Sequence, residues 1–140
     1  MSENKALRPR PVKTRDTQFF WDALKEHRLV IQRCAECKEL QHPPTPSCPH
    51  CWSLKRETID ASGRGTLFTF TVVHRPLVPA FDKPNTVGVV LLEEGTKLVA
   101  ELAPGEEGPL EIGMPIKIEF LDCDPDLTIP VFRPVKETAK

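Results

Sequence analysis

The sequence has no tyrosine, and aromatic residues make up only 6% of its 140 positions. Single-stranded nucleic acid is bound by stacking bases on aromatic side chains along a basic groove, so this scarcity weighs against that class. An excess of charge is missing too: 19 Lys and Arg stand against 20 Asp and Glu, a formal net of −1. The positive charge gathers in residues 1–15, whereas residues 59–140 hold eight basic and thirteen acidic side chains. A domain that wraps nucleic acid carries the opposite balance. Long hydrophobic runs are also absent. The longest covers residues 87–92, well short of the roughly 20 that a membrane span needs. The basic, polar N-terminus has no apolar h-region, so no signal peptide is expected and the cytoplasm is the expected compartment.

Proline is plentiful where glycine is sparse, 15 against 7. That many prolines excludes a mainly helical chain and favours short strands joined by stiff loops. Ile, Leu, Val and Phe supply 38 of the 140 residues, enough for the core of a single modest domain.

Residues 1–15 alternate Lys or Arg with Pro and read as a basic arm. Asp16 reads as the N-cap of a helix running to about Arg28, with Phe20, Ala23, Leu24 and His27 on one face. Phe19 and Trp21 point away from that face. Three successive aromatics project about 100° apart on a helix, more than one small domain readily covers, and aromatic anchors are enriched at subunit interfaces. Phe19, Phe20, Trp21 and Leu24 are therefore the expected partner-binding residues. A short strand over 29–31 leads into the cysteines.

From about residue 57 the texture is that of strands. Residues 66–74 alternate, with Phe68, Phe70 and Val72 on one face and Leu67, Thr69, Thr71 and Val73 on the other. Further strands are expected over 86–92 and 97–102, around Ile116, Ile118 and Phe120, and over 129–133, where Pro130 suggests an edge. Gly63 and Gly65 fall where the first strand must bend to serve both sides of a barrel. Five short strands predict a small barrel. The fold class is mainly β with an N-terminal helix. The expected organisation is an arm over 1–15, helix and lead-in strand over 16–31, a metal ribbon over 32–56, a barrel over 57–135 and a tail over 136–140.

Cys34-x2-Cys37 and Cys48-x2-Cys51 carry the strongest signal. Each pair closes a knuckle that aims two thiolates at one point, and four sulfurs make a tetrahedral site. Pro43, Pro44, Pro46 and Pro49 stiffen the chain around them. His42 and His50 lie nearby, but four cysteines already complete the shell. Zn2+ suits such a site as a structural ion, because four thiolates leave no open position for a substrate. Iron competes, since paired knuckles also describe a rubredoxin. Cys123, flanked by Asp122 and Asp124, reads as a filler thiol whose pKa those charges raise.

Several motifs together resemble one known family. They are Phe20-Trp21-x2-Leu24, Arg33-Cys34-x2-Cys37, Pro43-Pro44, Cys48-Pro49-x-Cys51, Ser62-Gly63-x-Gly65, Val72-Val73-His74, Ile112-Gly113-Met114 and Phe132-Arg133-Pro134. The resemblance, over residues 16–135, is to the acyl-CoA-associated proteins that join a rubredoxin-like zinc ribbon to a five-stranded OB-fold barrel. One departure is Lys38, where the family usually has glycine. The resemblance implies a non-catalytic accessory subunit that stabilises a thiolase-fold enzyme (a thiolase, synthase or lipid-transfer-protein-like aldolase). It also implies acyl-CoA as a shared ligand, with steroid or lipid side-chain degradation as a setting.

An acyl-CoA requires cations for its phosphates and a narrow apolar groove for its arm. Arg64, His74, Arg75, Lys83 and Arg133, with Phe81 in the Pro-rich loop over 75–85, are the candidates. No nucleophile–base motif and no phosphate-cradling Gly-rich loop accompanies them. A single-stranded nucleic-acid module and an iron electron carrier are the competing readings.

Overall fold

A computed structural model describes residues 11–75, 85–104 and 109–135. Residues 1–10 of the expected arm therefore fall outside the described residues, as do Phe81 and Lys83. The chain begins with helix α1 (Gln18–Lys25), followed by β1 (Val30–Cys34), β2 (Leu40–Gln41) and β3 (Arg56–Asp60). These three strands form a small antiparallel sheet in the order β2-β1-β3. Then come β4 (Arg64–Val73), β5 (Asn85–Leu92), β6 (Lys97–Leu102), β7 (Pro115–Asp124) and β8 (Leu127–Pro134). They close into a five-stranded barrel in the order β4-β5-β6-β8-β7. The expected mainly β class with an N-terminal helix and a five-stranded OB-type barrel is what the structure shows. No helix among the described residues is long and apolar enough to cross a membrane.

The helix differs from expectation at both ends. Its N-cap is Thr17, whose side chain makes no capping bond. The Asp16 carboxylate instead accepts from Arg56 Nη1 at 3.0 Å. The helix stops at Lys25 because His27 adopts a left-handed backbone, φ +59°. The His27 amide donates to the Leu24 carbonyl and the Arg28 amide to that of Ala23, both at 2.9 Å. This pair of bonds is the Schellman closure, normally built on glycine. A histidine in that place hid the stop.

Strand β4 serves two neighbours because it starts at a bend. Residues 64–66 pair with β7 while residues 65–73 pair with β5. A Cβ on Gly65 would sit 2.2 Å from the Leu91 carbonyl oxygen, so only glycine allows this crossing. The strict alternation expected along β4 is broken by a bulge: Leu67 pairs with Val90 and Thr69 with Val89, leaving Phe68 extra. Leu67 is fully buried, Phe70 packs partly on the core, and Phe68 is turned out to 49% exposure. Phe68 and Phe70 thus do not share a face, since an extra residue shifts the two-residue period by one.

Pro130 does not mark an edge either. Strand β8 lies between β7 and β6 and closes the barrel. Its parallel pairing with β6 is confined to Val131 and Phe132, so Pro130 sits just outside the shared stretch and no bond to β6 is lost.

Leu67, Val90, Leu92, Leu98, Ala100, Ile116, Ile118 and Phe132 fill the core, continuous with Phe20, Leu24, Leu29 and Ile31 from the helix and ribbon. Each Val, Leu, Ile or Phe among them contributes about 1.5–3 kcal/mol on burial. Phe20 is 6% exposed and Leu24 is fully buried. This corrects their expected place on a free docking face: they hold the helix to its own barrel. Trp21 and Phe19 are half-buried against the same cluster.

Candidate metal centre and the surfaces around it

Strand β1 ends at Cys34, so the first knuckle grows directly from a hydrogen-bonded strand. Its Sγ accepts from the amides of Glu36 and Cys37, both at 3.4 Å. The second knuckle repeats the device: Cys48 Sγ accepts from His50 at 3.3 Å and from Cys51 at 3.4 Å. Each turn closes on a left-handed residue, Lys38 or Trp52, both at φ +67°. Their amides donate to the Cys34 and Cys48 carbonyls at 3.0 and 2.8 Å. Lys38, where the family usually has glycine, thus takes this backbone at a steric cost, and Trp52 does the same, which the sequence did not signal.

The two knuckles face each other. Cys34 and Cys51 Sγ are 3.6 Å apart and Cys37 and Cys48 Sγ 3.5 Å. All four ligand atoms lie within 4.8 Å of one another. Tetrahedral Zn–S bonds of about 2.3 Å place sulfurs about 3.8 Å apart, so this constellation fits one ion. All five cysteines are unbridged. Without an ion the four thiols cannot ionise together. Amide donors, chiefly that of Cys37, favour the Cys34 thiolate. Burial opposes ionisation of Cys48, yet the Cys51 and His50 amides bring it down to about 6. The Glu39 amide favours the Cys37 thiolate, but burial and the neighbouring sulfurs push that thiol up to about 12. A divalent cation removes the conflict, since metal binding deprotonates every ligand thiol.

A clasp beside the first knuckle ties the metal loop to the sheet. Glu57 on β3 accepts from Arg33 Nε at 2.6 Å and Lys38 Nζ at 3.2 Å. Lys38 first and Arg33 second hold the Glu57 carboxyl below its usual range. His42 and His50 are not among the clustered ligands. His42 instead packs on Phe20, ring centroids 5.0 Å apart, and burial lowers its pKa to about 4.

The chain also carries two adjoining apolar surfaces that share Val99. One is a groove of about 540 Å³ between the helix, the proline loop and the barrel wall, lined by Phe20, Trp21, His42, Pro44, Val99 and Ile129 among others. The other is the outer wall of β4–β6, where Phe68 and Val99 stand 49% and 62% exposed. Lys97 Nζ lies 4.7 Å above the Phe68 ring.

The acyl-CoA candidates do not gather in one place. Arg64 pairs with Lys117 and Lys117 with Arg133, which brings Arg64 and Arg133 onto one stretch of wall. His74 and Arg75 follow the far end of β4, both exposed. The rest of β4, residues 65–73, separates them from Arg64, about 30 Å along an extended chain. Cys123 Sγ donates to the Leu121 carbonyl at 3.8 Å.

Residues 21–55 match the rubredoxin-like zinc ribbon domain of ChsH2, and residues 58–121 match the ChsH2 C-terminal OB-fold domain. The chain is 52% identical over 130 residues to a probable enoyl-CoA hydratase alpha subunit of Thermomonospora curvata, covering 93% of this chain and 41% of that protein. It is 40% identical over 125 residues to the 3-oxo-4,17-pregnadiene-20-carboxyl-CoA hydratase alpha subunit of Mycobacterium tuberculosis, covering 89% and 40%. It thus spans about two fifths of the length of these two relatives. The benzoylsuccinyl-CoA thiolase subunit BbsA of Thauera aromatica is 32% identical over 75% of this chain and 78% of its own. Among solved structures, a chain of the Ltp2-ChsH2(DUF35) aldolase superposes with a TM-score of 0.83 at 50% identity, covering 89% of this chain and 98% of that one. The chain belongs to the ChsH2-type DUF35 family, a zinc ribbon joined to an OB-fold barrel.

Proposed function

We propose that this chain is a non-catalytic accessory subunit that docks on a thiolase-fold enzyme and helps bind or pass an acyl-CoA thioester. Zinc, not iron, is the ion assigned to the four cysteines, in a structural role. Three relatives are named as subunits of CoA-thioester enzymes, and a fourth is a chain of the Ltp2-ChsH2(DUF35) aldolase. The substrate of one of them is steroidal, which favours steroid or lipid side-chain degradation.

The observation that carries the docking reading is the outer barrel wall. Barrel walls facing water normally alternate to polar residues. Here Phe68 and Val99 are exposed, with Val87, Val89 and Leu91 half-buried between them on β5. A thiolase-fold subunit covering this wall and the rim at Trp21 removes that apolar surface from water. Phe20 and Leu24 belong to the chain's own core, so the partner reads Trp21 and the wall instead.

Co-expression with a thiolase-fold subunit from the same organism tests the reading. Phe68→Asp with Val99→Lys should abolish co-purification while the ribbon keeps one zinc per chain. A complex that survives both charges overturns this docking surface. Turnover of a thioester by the chain alone overturns the accessory role.

A further inference from the structure

The four cysteines of the metal centre are not equally sheltered. Cys34 and Cys48, which open the two knuckles, are 0% and 1% exposed. Cys37 is half-buried, whereas Cys51 is exposed. It sits at the outer end of the second knuckle, and the residues around it, His50, Trp52 and Leu54, are exposed as well.

An accessible cysteine with a second sulfur poised beside it is the arrangement of a thiol that oxidises reversibly. Cys51 Sγ lies 3.6 Å from Cys34 Sγ, across the gap between the knuckles. Metal binding keeps each ligand as a thiolate, which is the nucleophilic form. Cys123 is half-buried and stands outside the cluster. The segment between the knuckles carries the consequence. His42, Pro43 and Pro44 line the groove together with Trp21. The Thr45 carbonyl accepts from Gln32 Nε2 at 2.9 Å and from Arg56 Nη1 at 3.1 Å, while Cys37 and Cys48 pin the two ends of the segment through the ion.

We propose that Cys51 is a peroxide-sensitive modification site, with Cys34 as its resolving thiol, through which oxidation empties the metal centre and loosens the groove wall. The Cys51 thiolate attacks one oxygen of the peroxide. The S–O bond forms, the O–O bond breaks, and the departing hydroxide takes a proton to become water. The Cys34 thiolate then attacks the Cys51 sulfur. The S–S bond forms, the S–O bond breaks, and a second water leaves. Two thiolates lose two electrons and the peroxide gains them. With two of its four ligands joined to each other, the site releases the ion. The disulfide keeps the knuckles together, so a thiol reductant and zinc restore the centre. An effect on docking rests on the partner reading above; the modification does not.

Hydrogen peroxide added to the zinc-loaded full chain carrying Cys123→Ser tests this, with released zinc read by a chromophoric chelator and disulfides mapped by non-reducing mass spectrometry. Zinc release should track a disulfide between Cys34 and Cys51, and dithiothreitol with zinc should reverse both. Cys51→His leaves three cysteines and one histidine, a set that also holds zinc. It should slow release about tenfold, because imidazole does not enter the thiol oxidation ladder, whereas Cys37→His should not. Iodoacetamide on the unsubstituted chain decides the matter even where a ligand variant loses its metal: Cys51 should be alkylated before Cys34, Cys37 and Cys48. Zinc retained under excess peroxide, unchanged release from Cys51→His, a first disulfide within one knuckle, or Cys37 alkylated first overturns the site. A complex with the thiolase-fold subunit that persists once Cys34 and Cys51 are bridged overturns the link to docking and leaves the modification site standing.

Discussion

A Cβ added to Gly88 would lie 2.8 Å from Cε1 of Phe132, the largest fully buried side chain of the barrel. Gly88 on β5 thus makes room for a ring that reaches across from β8. Gly88→Ala should cost about 1–3 kcal/mol, as overpacking of a tight interior does, read as a lower urea midpoint with unchanged metal content.

The metal should be inseparable from the fold of the ribbon. Cys48→Ser removes one of four ligands, and zinc-dependent modules draw about 10–16 kcal/mol from the ion. Zinc content should fall to near zero, and the amides of β1 and β3 should lose their protection from hydrogen exchange. Cys123→Ser should change neither quantity.

His42 gives the protein a pH-dependent stability with a definite sign. Burial brings its pKa down to about 4, against about 6.5 in an unfolded chain. Between those values the unfolded state binds the proton that the folded state refuses, so stability falls as pH drops through this window. Below about 4 the decline from this residue ends. His42→Phe should flatten the melting temperature over the same range.

Asp122 acts in a lower window. Thr128 Oγ donates to its Oδ1 at 2.6 Å, and His27 Nε2 lies 3.0 Å from Oδ2. Thr128 first and His27 second hold the carboxyl below its usual range. The stabilisation is complete above the unfolded carboxylate pKa of about 3.9 and is lost as pH falls through the lower folded value. Asp122→Asn should erase this part of the acid melting curve. Thr128→Val should erase most of it, as the larger cause.

The ribbon and the barrel were legible because their signals are local and periodic. Two Cys-x2-Cys knuckles and five apolar strands need no knowledge of distant contacts. What the sequence concealed depends on single residues in unusual backbone. His27 ends the helix in a conformation normally given to glycine, and Trp52 closes the second knuckle in the same way. The bulge at Phe68 moves one aromatic outward without any break in the alternating pattern. Strand β3 is not among the strands expected from the sequence, since Arg56–Asp60 holds a single apolar residue, Ile59, and only its pairing with β1 makes it a strand.

The closure of the barrel between β6 and β8 involves two residue pairs, Glu101 with Val131 and Leu102 with Phe132. One further backbone bond, from the Ala103 amide to the Phe132 carbonyl at 2.8 Å, extends it. Apart from the short bend at β4, the other seams are longer, with five pairs between β5 and β6 and eight in each of the remaining two. Mechanically the domain is a curled ribbon fastened by a brief clip, with the Phe132 ring as the plug behind it. Breathing of the wall begins at that clip, and a ligand or neighbour that bridges β6 and β8 stiffens the whole cylinder at its weakest line.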